Sequence, residues 1–286
     1  MKMVIPAAVF LLMVSVGMSL RHREVIASLR RMNWWHWAGL VMATFLVPAG
    51  VALLLGRVLP LNLAEMAGLF LVGAAPGAPL MTRNIAKRGF DMQLAAGYQV
   101  WGGLLTPIML PIVVWLAGLA YDRHIWIPPE DVLLQIVEKQ FVPLLLGMAL
   151  AYFLPVFSGK AQVWMNRLGN VVLMLGMVAM LWFMRAALKG LLTWWLPLGA
   201  LLLAVGSIAA IHFLVPTLDR DARQTLEICN ANRHIGLAIL LSGQYLQVKG
   251  ALPAVAAYAV IAPFVMGGLS WWFHRDEKEV AQSVAG

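Results

Sequence analysis

Six consecutive residues, Cys229-Asn230-Ala231-Asn232-Arg233-His234, carry the densest chemistry in this chain of 286 residues. A thiol, two carboxamides, a guanidinium and an imidazole sit among apolar runs, with Ile235–Leu241 following directly. Such groups have no cheap place in hydrocarbon and must face a cavity, a partner or water. Arg233 keeps its proton under physiological conditions, so it is a fixed positive charge suited to an anion. A snorkelling residue, or one in a salt bridge to Glu227, is its blander alternative. His234 reads equally as a proton carrier or as a core imidazole bonded to a backbone carbonyl. Asn230 and Asn232 fit the caps of an interrupted helix, with ligand contact as an added role. Glu227 reads first as an ordinary carboxylate near a helix start. Glu227 and His234 are the candidate ion-coupling residues.

A second irregular stretch is Gly73-Ala74-Ala75-Pro76-Gly77-Ala78-Pro79, followed by Leu80-Met81-Thr82. Two prolines and two glycines this close cannot continue a regular helix, because backbone donors are missing and the rings clash. Each irregularity alone would be a packing kink. A pair of them, one in each half and one beside buried Arg and His, predicts two broken helices that meet near mid-membrane around a binding site. The candidate substrate-binding residues are Pro76, Gly77, Ala78, Thr82, Asn230, Asn232, Arg233 and His234.

The elements that must position these residues follow from composition. With 62% hydrophobic and 12% charged residues and a mean hydropathy of +0.81, the chain reads as an all-α integral membrane protein. Nine apolar segments are expected at about 4–20, 37–56, 63–88, 91–119, 132–155, 162–188, 193–215, 221–246 and 251–273. No long polar linker divides them, so residues 1–286 form one membrane domain with a short tail over 274–286. The first apolar run lacks a small-x-small cleavage pattern and is followed by Arg21-His22-Arg23, which favours a retained span over a signal peptide. Of the 21 Lys and Arg residues, thirteen fall in loops on the side of Arg21 and Arg275 and seven on the side of Arg57 and Lys139. The positive-inside rule then puts the N-terminus outside and the C-terminus in the cytoplasm of a bacterial-type inner membrane. The formal charge of +8 is spread over these loops and forms no nucleic-acid patch. One cysteine excludes a disulfide framework and a multi-cysteine metal site. No catalytic constellation, nucleotide loop or cofactor motif stands out, so neither an enzyme nor an ATP-driven pump is expected.

From Phe10 to Leu20 and on to Arg31, the chain resembles the early helix and basic loop of the bile acid:sodium symporter family. Leu71–Gly77 continuing to Ile85–Gly89 resembles that family's first crossover helix, and Leu104–Pro107 with Leu110-Pro111 its next helix pair. Asp221-Ala222, Leu226 and Gly236-Leu237-Ala238 fall in register with its second crossover. The resemblance implies two inverted repeats, here lacking the first helix and so leaving nine. It also implies a panel domain (about 4–56 and 132–188) and a core domain (about 63–119 and 193–273) with two broken crossover helices. It implies transport of organic anions, coupled to sodium in the best-known members.

The chain departs from that pattern where sodium would bind. The Ser-Asn pair after the first break is replaced by roughly Met81-Thr82. Ungapped register puts Cys229 where the family has a sodium-binding glutamate, and Arg233-His234 where it has Gln-Asn. A sodium site needs several hard oxygen ligands, so Arg233 is expected to stand in place of the ion. Sodium coupling is therefore doubtful, with sodium, a proton or no ion left open.

The reading is a secondary active transporter of a small organic anion by alternating access, with the lipid bilayer and the anion as its partners. A non-transporting receptor or sensor of the same fold is the alternative. Arg83, Lys87 and Arg88 read most simply as a positive-inside run, His212 as structural, and Cys229 as a small residue permitting close helix crossing.

Overall fold

A computed structural model describes residues 4–30, 32–78, 80–120, 127–183, 194–244 and 251–285. Every regular element among them is helical. In chain order these are α1 (Val4–Ser19), α2 (His22–Arg30), α3 (Trp34–Val58), α4 (Leu63–Ala74), α5 (Met81–Lys87) and α6 (Met92–Ala120). The second half holds α7 (Pro129–Phe153), α8 (Pro155–Phe183), α9 (Trp195–Leu214), α10 (Arg220–Ala231), α11 (Ile235–Gln244) and α12 (Leu252–Ala285).

Local chemistry sets the starts. Asn33 and His36 form a reciprocal capping box on α3, and Asn62 and Glu65 form one on α4. Asp91 accepts from the amides of Gln93 and Leu94 at the head of α6, and Asp219 caps α10 through Ala222.

Among the described residues five helices are long and apolar enough to cross a membrane: α3, α6, α7, α9 and the Leu252–Arg275 part of α12. Val9–Ser19 and Leu63–Ala74 are apolar but shorter. The segments expected at 63–88 and 221–246 are each split into two helices, α4/α5 and α10/α11. Residues 184–188, 193 and 245–246 of the expected segments lie outside the described residues, as do Pro79 and six of the counted charges: Lys2, Arg31, Arg123, Arg185, Lys189 and Lys249.

Three boundaries differ from expectation. The basic stretch after α1 is a helix, α2, with Glu24 in its first turn and Arg30 in its last, the order the helix dipole favours. The polar stretch expected as a loop between 155 and 162 is the start of α8, separated from α7 by Leu154 alone. There the Ser15 hydroxyl donates to the Gln162 carbonyl (3.2 Å) and the Gln162 amide donates to Ser19, so α1 satisfies the polarity that imitates a loop. The tail beyond Arg275 continues α12 without a break to Ala285.

Packing sorts the helices into two sets. α1 lies along α7 and α8, while α3 lies along α4 and α9, and α12 along α9 and α4. α1 and α7 touch backbone to backbone at Gly17 and Gly147, where a Cβ on either would run into a carbonyl of the other helix. Residues 37–56, expected beside the first helix, therefore pack with the broken helices. The reason lies in α3 itself. Met42–Leu46 is a π-helical turn, and Pro48 follows it. The Val47 amide reaches back to Met42 O, leaving Ala43 O without its usual donor, and Pro48 has no N–H to give Thr44 O. Two carbonyls inside an apolar helix must then find donors elsewhere.

Candidate functional site

The donors come from the second break. Asn230 Nδ2 donates to Ala43 O (2.9 Å) and to Ser207 O (2.6 Å). Arg233 Nη1 donates to Thr44 O (2.7 Å), and its Nη2 donates to the Ser207 hydroxyl (3.2 Å). Tyr98 of α6 donates to Asn230 Oδ1 (2.9 Å) and shares a 2.7 Å hydrogen bond with the Thr44 hydroxyl. Tyr258 of α12 donates to Ala231 O at 2.7 Å, the last residue of α10. Helices α3, α6, α9 and α12 thus clamp the end of α10, and Arg233 is buried at 2% exposure.

The two breaks meet. His234 N donates to Ala75 O (2.9 Å), and Ala78 N donates to Asn232 O (3.3 Å). This short antiparallel pairing satisfies backbone groups that the interrupted helices leave open. Gly77 lies between its two rungs with φ +73°. A Cβ there would meet nothing within 4 Å, so the left-handed backbone, and not crowding, requires glycine. Gln140 of α7 donates to Gly77 O (3.3 Å), linking the first break to the other helix set.

The expected residues divide by what they do here. Pro76, Gly77 and Ala78 form the first break. Thr82 does not face it; its hydroxyl donates to Gln99 Oε1 at 2.8 Å. Asn230 is a tie between helices and caps no helix end, because its amide reaches Ala43 O of α3 and Ser207 O of α9 across the interface. The cap of α11 is His234, whose Nδ1 accepts from Leu237 N at 3.0 Å. Its imidazole is therefore an acceptor at Nδ1, not a donor to a carbonyl from that atom. Glu227 does not pair with Arg233. It accepts from His212 Nδ1 at 2.9 Å and faces Arg223 Nε at 3.7 Å, because α9 rather than the crossing lies against its side of α10. His212 thereby has a partner. Arg83 is buried at 7% exposure, with Nε donating to Asn166 Oδ1 (2.9 Å) and Nη2 to Asn170, so it joins α5 to α8.

Sequence reasoning missed Thr44, Tyr98, Gln140, Ser207 and Tyr258. Pro48 was the available signal for Thr44, since a proline inside an apolar helix frees the carbonyl four residues before it. Ser207 and Gln140 are polar residues within membrane-length helices, a signal of the same kind.

Beside the second break lies a cavity of about 430 Å³. Its polar lining is Asn84, Lys87, Arg88, Asn232, Arg233 and Tyr258, and its apolar wall comes mainly from Ile235 and from Ala259, Ala262, Pro263 and Met266 of α12. Asn232 Nδ2 and Arg233 Nε are buried without a hydrogen-bond partner, as is His234 Nε2 within the break. A second cavity, of about 350 Å³, has Asp91, Asp219 and Asp221 in its wall, and Asp91 and Asp219 are already engaged as helix caps. Of these two cavities the first combines fixed positive charge with unmet donors, a combination suited to an anion carrying an apolar body. Among the described residues no group of three or more His, Cys, Asp or Glu is arranged to hold a metal ion.

A family model described as the Sodium Bile acid symporter family matches residues 6–192, which includes the first break and ends before the second. No curated protein matches the chain.

Proposed function

The chain belongs to the sodium bile acid symporter family, and on that premise we propose that it is a secondary carrier of a small organic anion that works without a bound sodium ion. It is a multi-pass helical membrane protein. The observation that carries the proposal is the paired break, two backbone hydrogen bonds joining Ala75–Ala78 to Asn232–His234, with the Arg233 guanidinium beside it. Interrupted helices crossing within a bundle offer unmet donors to an anionic ligand while keeping the rest of their backbone satisfied.

Sodium does not fit these residues. A hard monovalent cation would need the free oxygens of the crossing. Thr44 O and the Ser207 hydroxyl already accept from Arg233, while Ala43 O and Ser207 O accept from Asn230. The Glu227 carboxylate is turned to His212 and Arg223, and Cys229 is a buried thiol. Arg233 supplies as a permanent charge what an ion would supply on binding.

In the proposed cycle α1, α7 and α8 form the panel, and the helices packed around the breaks, α3 included, slide against it as the core. Gln140–Gly77 and Arg83–Asn166 cross that boundary. The anion sits at Asn232 and Arg233 and is exposed to each side in turn. The repeats are inverted and the membrane is a bacterial inner membrane; the N-terminus is outside and the C-terminus cytoplasmic, the orientation that the loop charges favour.

The test is uptake of labelled taurocholate and labelled adipate into proteoliposomes, with external sodium exchanged for choline. Uptake unchanged by choline and lost in Asn232→Ala supports the proposal. Uptake that requires sodium contradicts it. Binding with no flux would make the protein a receptor of the same fold.

A further inference from the structure

Building on the carrier reading, we infer that the ligand of the 430 Å³ cavity carries at least two anionic groups. Lys87, Arg88 and Arg233 line this cavity, and no carboxylate does. Nor does any of the three form an ion pair with an Asp or Glu among the described residues. Arg83 adds a fourth cation close behind, near enough to Lys87 for their charges to repel, and its own partners are the neutral amides of Asn166 and Asn170.

Like charges held together around a concave, partly apolar wall repel one another and concentrate anions. A monoanion would leave most of that repulsion standing, whereas a dianion offsets it. The cations are also spread rather than stacked. Arg233 lies at the second break, while Lys87 and Arg88 lie at the end of α5. Arg88 is held over the cavity by donating to Pro263 O (3.3 Å), and Lys87 is exposed at its wall.

One acid group of the ligand meets Asn232 Nδ2 and Arg233 Nε, the buried donors that have no partner. The second meets Lys87 and Arg88. The carbon skeleton between them lies along Ala259, Ala262 and Met266. The ligand class is a dicarboxylate, or another organic acid with two separated anionic groups, in place of a monovalent amphiphile.

The experiment is thermal unfolding of the purified full-length protein, read by tryptophan fluorescence at constant ionic strength. It is titrated with glutarate and adipate, with their monomethyl esters, with sulfate and with taurocholate. The dicarboxylates are expected to bind at least about tenfold more tightly than the matched monoesters. Lys87→Met and Arg88→Gln, both at non-core positions, are each expected to weaken the diacids about fivefold, as loss of one partly exposed charge contact does. The monoesters should change less. Equal binding of diacid and monoester overturns the inference, as does diacid binding indifferent to both variants. Sulfate matching the diacids reduces the site to an inorganic anion site and overturns it too. Taurocholate binding that is lost in Asn232→Ala while the diacids stay silent removes this inference and leaves the carrier reading standing. Silence from every organic anion removes both.

Discussion

Replacing Asn230 with alanine removes three hydrogen bonds at once: the one from Tyr98 and the two to Ala43 O and Ser207 O. Interhelical side-chain hydrogen bonds in membranes contribute about 0.6 kcal/mol on average and up to about 1.7 kcal/mol. Three of them bound the loss between about 2 and 5 kcal/mol. The upper limit is not expected, because Tyr98 keeps the Thr44 hydroxyl as a partner. Ala43 O, however, was orphaned by the π-helical turn and has no replacement donor in view. The expected destabilisation is therefore about 3 kcal/mol, measured by reversible SDS unfolding in mixed micelles. Tyr98→Phe should cost about 1 kcal/mol. The double variant should fall short of the sum by about 0.5–1.5 kcal/mol, since both side chains share one hydrogen bond. An Asn230→Ala loss under about 0.5 kcal/mol, or strict additivity with Tyr98→Phe, would mean that Asn230 does not tie α10 to α3, α6 and α9.

Gly77→Ala should cost about 1–2 kcal/mol through its φ of +73° alone, and Gly77→Asn less, because open space surrounds the position; thermal unfolding of the pair checks this. Gly147→Ala, in which the new methyl meets the Val14 carbonyl, should lower the unfolding midpoint further than Gly77→Ala does. His234→Ala should cost about 1 kcal/mol by removing the cap on Leu237 N, and His234→Asn should recover most of it; a recovery no better than alanine would show that the imidazole does not cap α11.

Much of this arrangement was legible in the sequence because its causes are local. The prolines and glycines of Gly73–Pro79 cannot continue a helix, and Arg233 cannot be left in hydrocarbon, so both interruptions could be placed without coordinates. What the breaks touch was not legible, because partners from distant segments decide it. Asn230 looked like a cap and is a tie, since Ala43 and Ser207 lie opposite it only after α3 and α9 have packed. Glu227 and Arg233 are close in sequence yet bond to different groups, Glu227 to His212 of α9 and Arg233 to the π-turn carbonyl of α3 and the Ser207 hydroxyl of α9. Arg83 and its neighbours have the composition of a cytoplasmic loop, but Asn166 and Asn170, 83 and 87 residues further along the chain, give Arg83 a buried position. Charge counting alone could not separate Arg83 from Lys87, which remains exposed at the cavity. The polar start of α8 misled for the same reason, its polarity being met by Ser15 and Ser19 of α1.

The claim that Arg233 occupies the place of a coupling ion is tested most directly on ligand-free protein. Unfolding midpoints are compared in sodium chloride and in choline chloride at equal ionic strength. A sodium site filled at about a hundred times its dissociation constant would add about 2.7 kcal/mol, a rise of several degrees. With Thr44 O and the Ser207 hydroxyl held by the guanidinium, the two midpoints should agree within about 1 °C. A saturable rise specific to sodium would contradict the account.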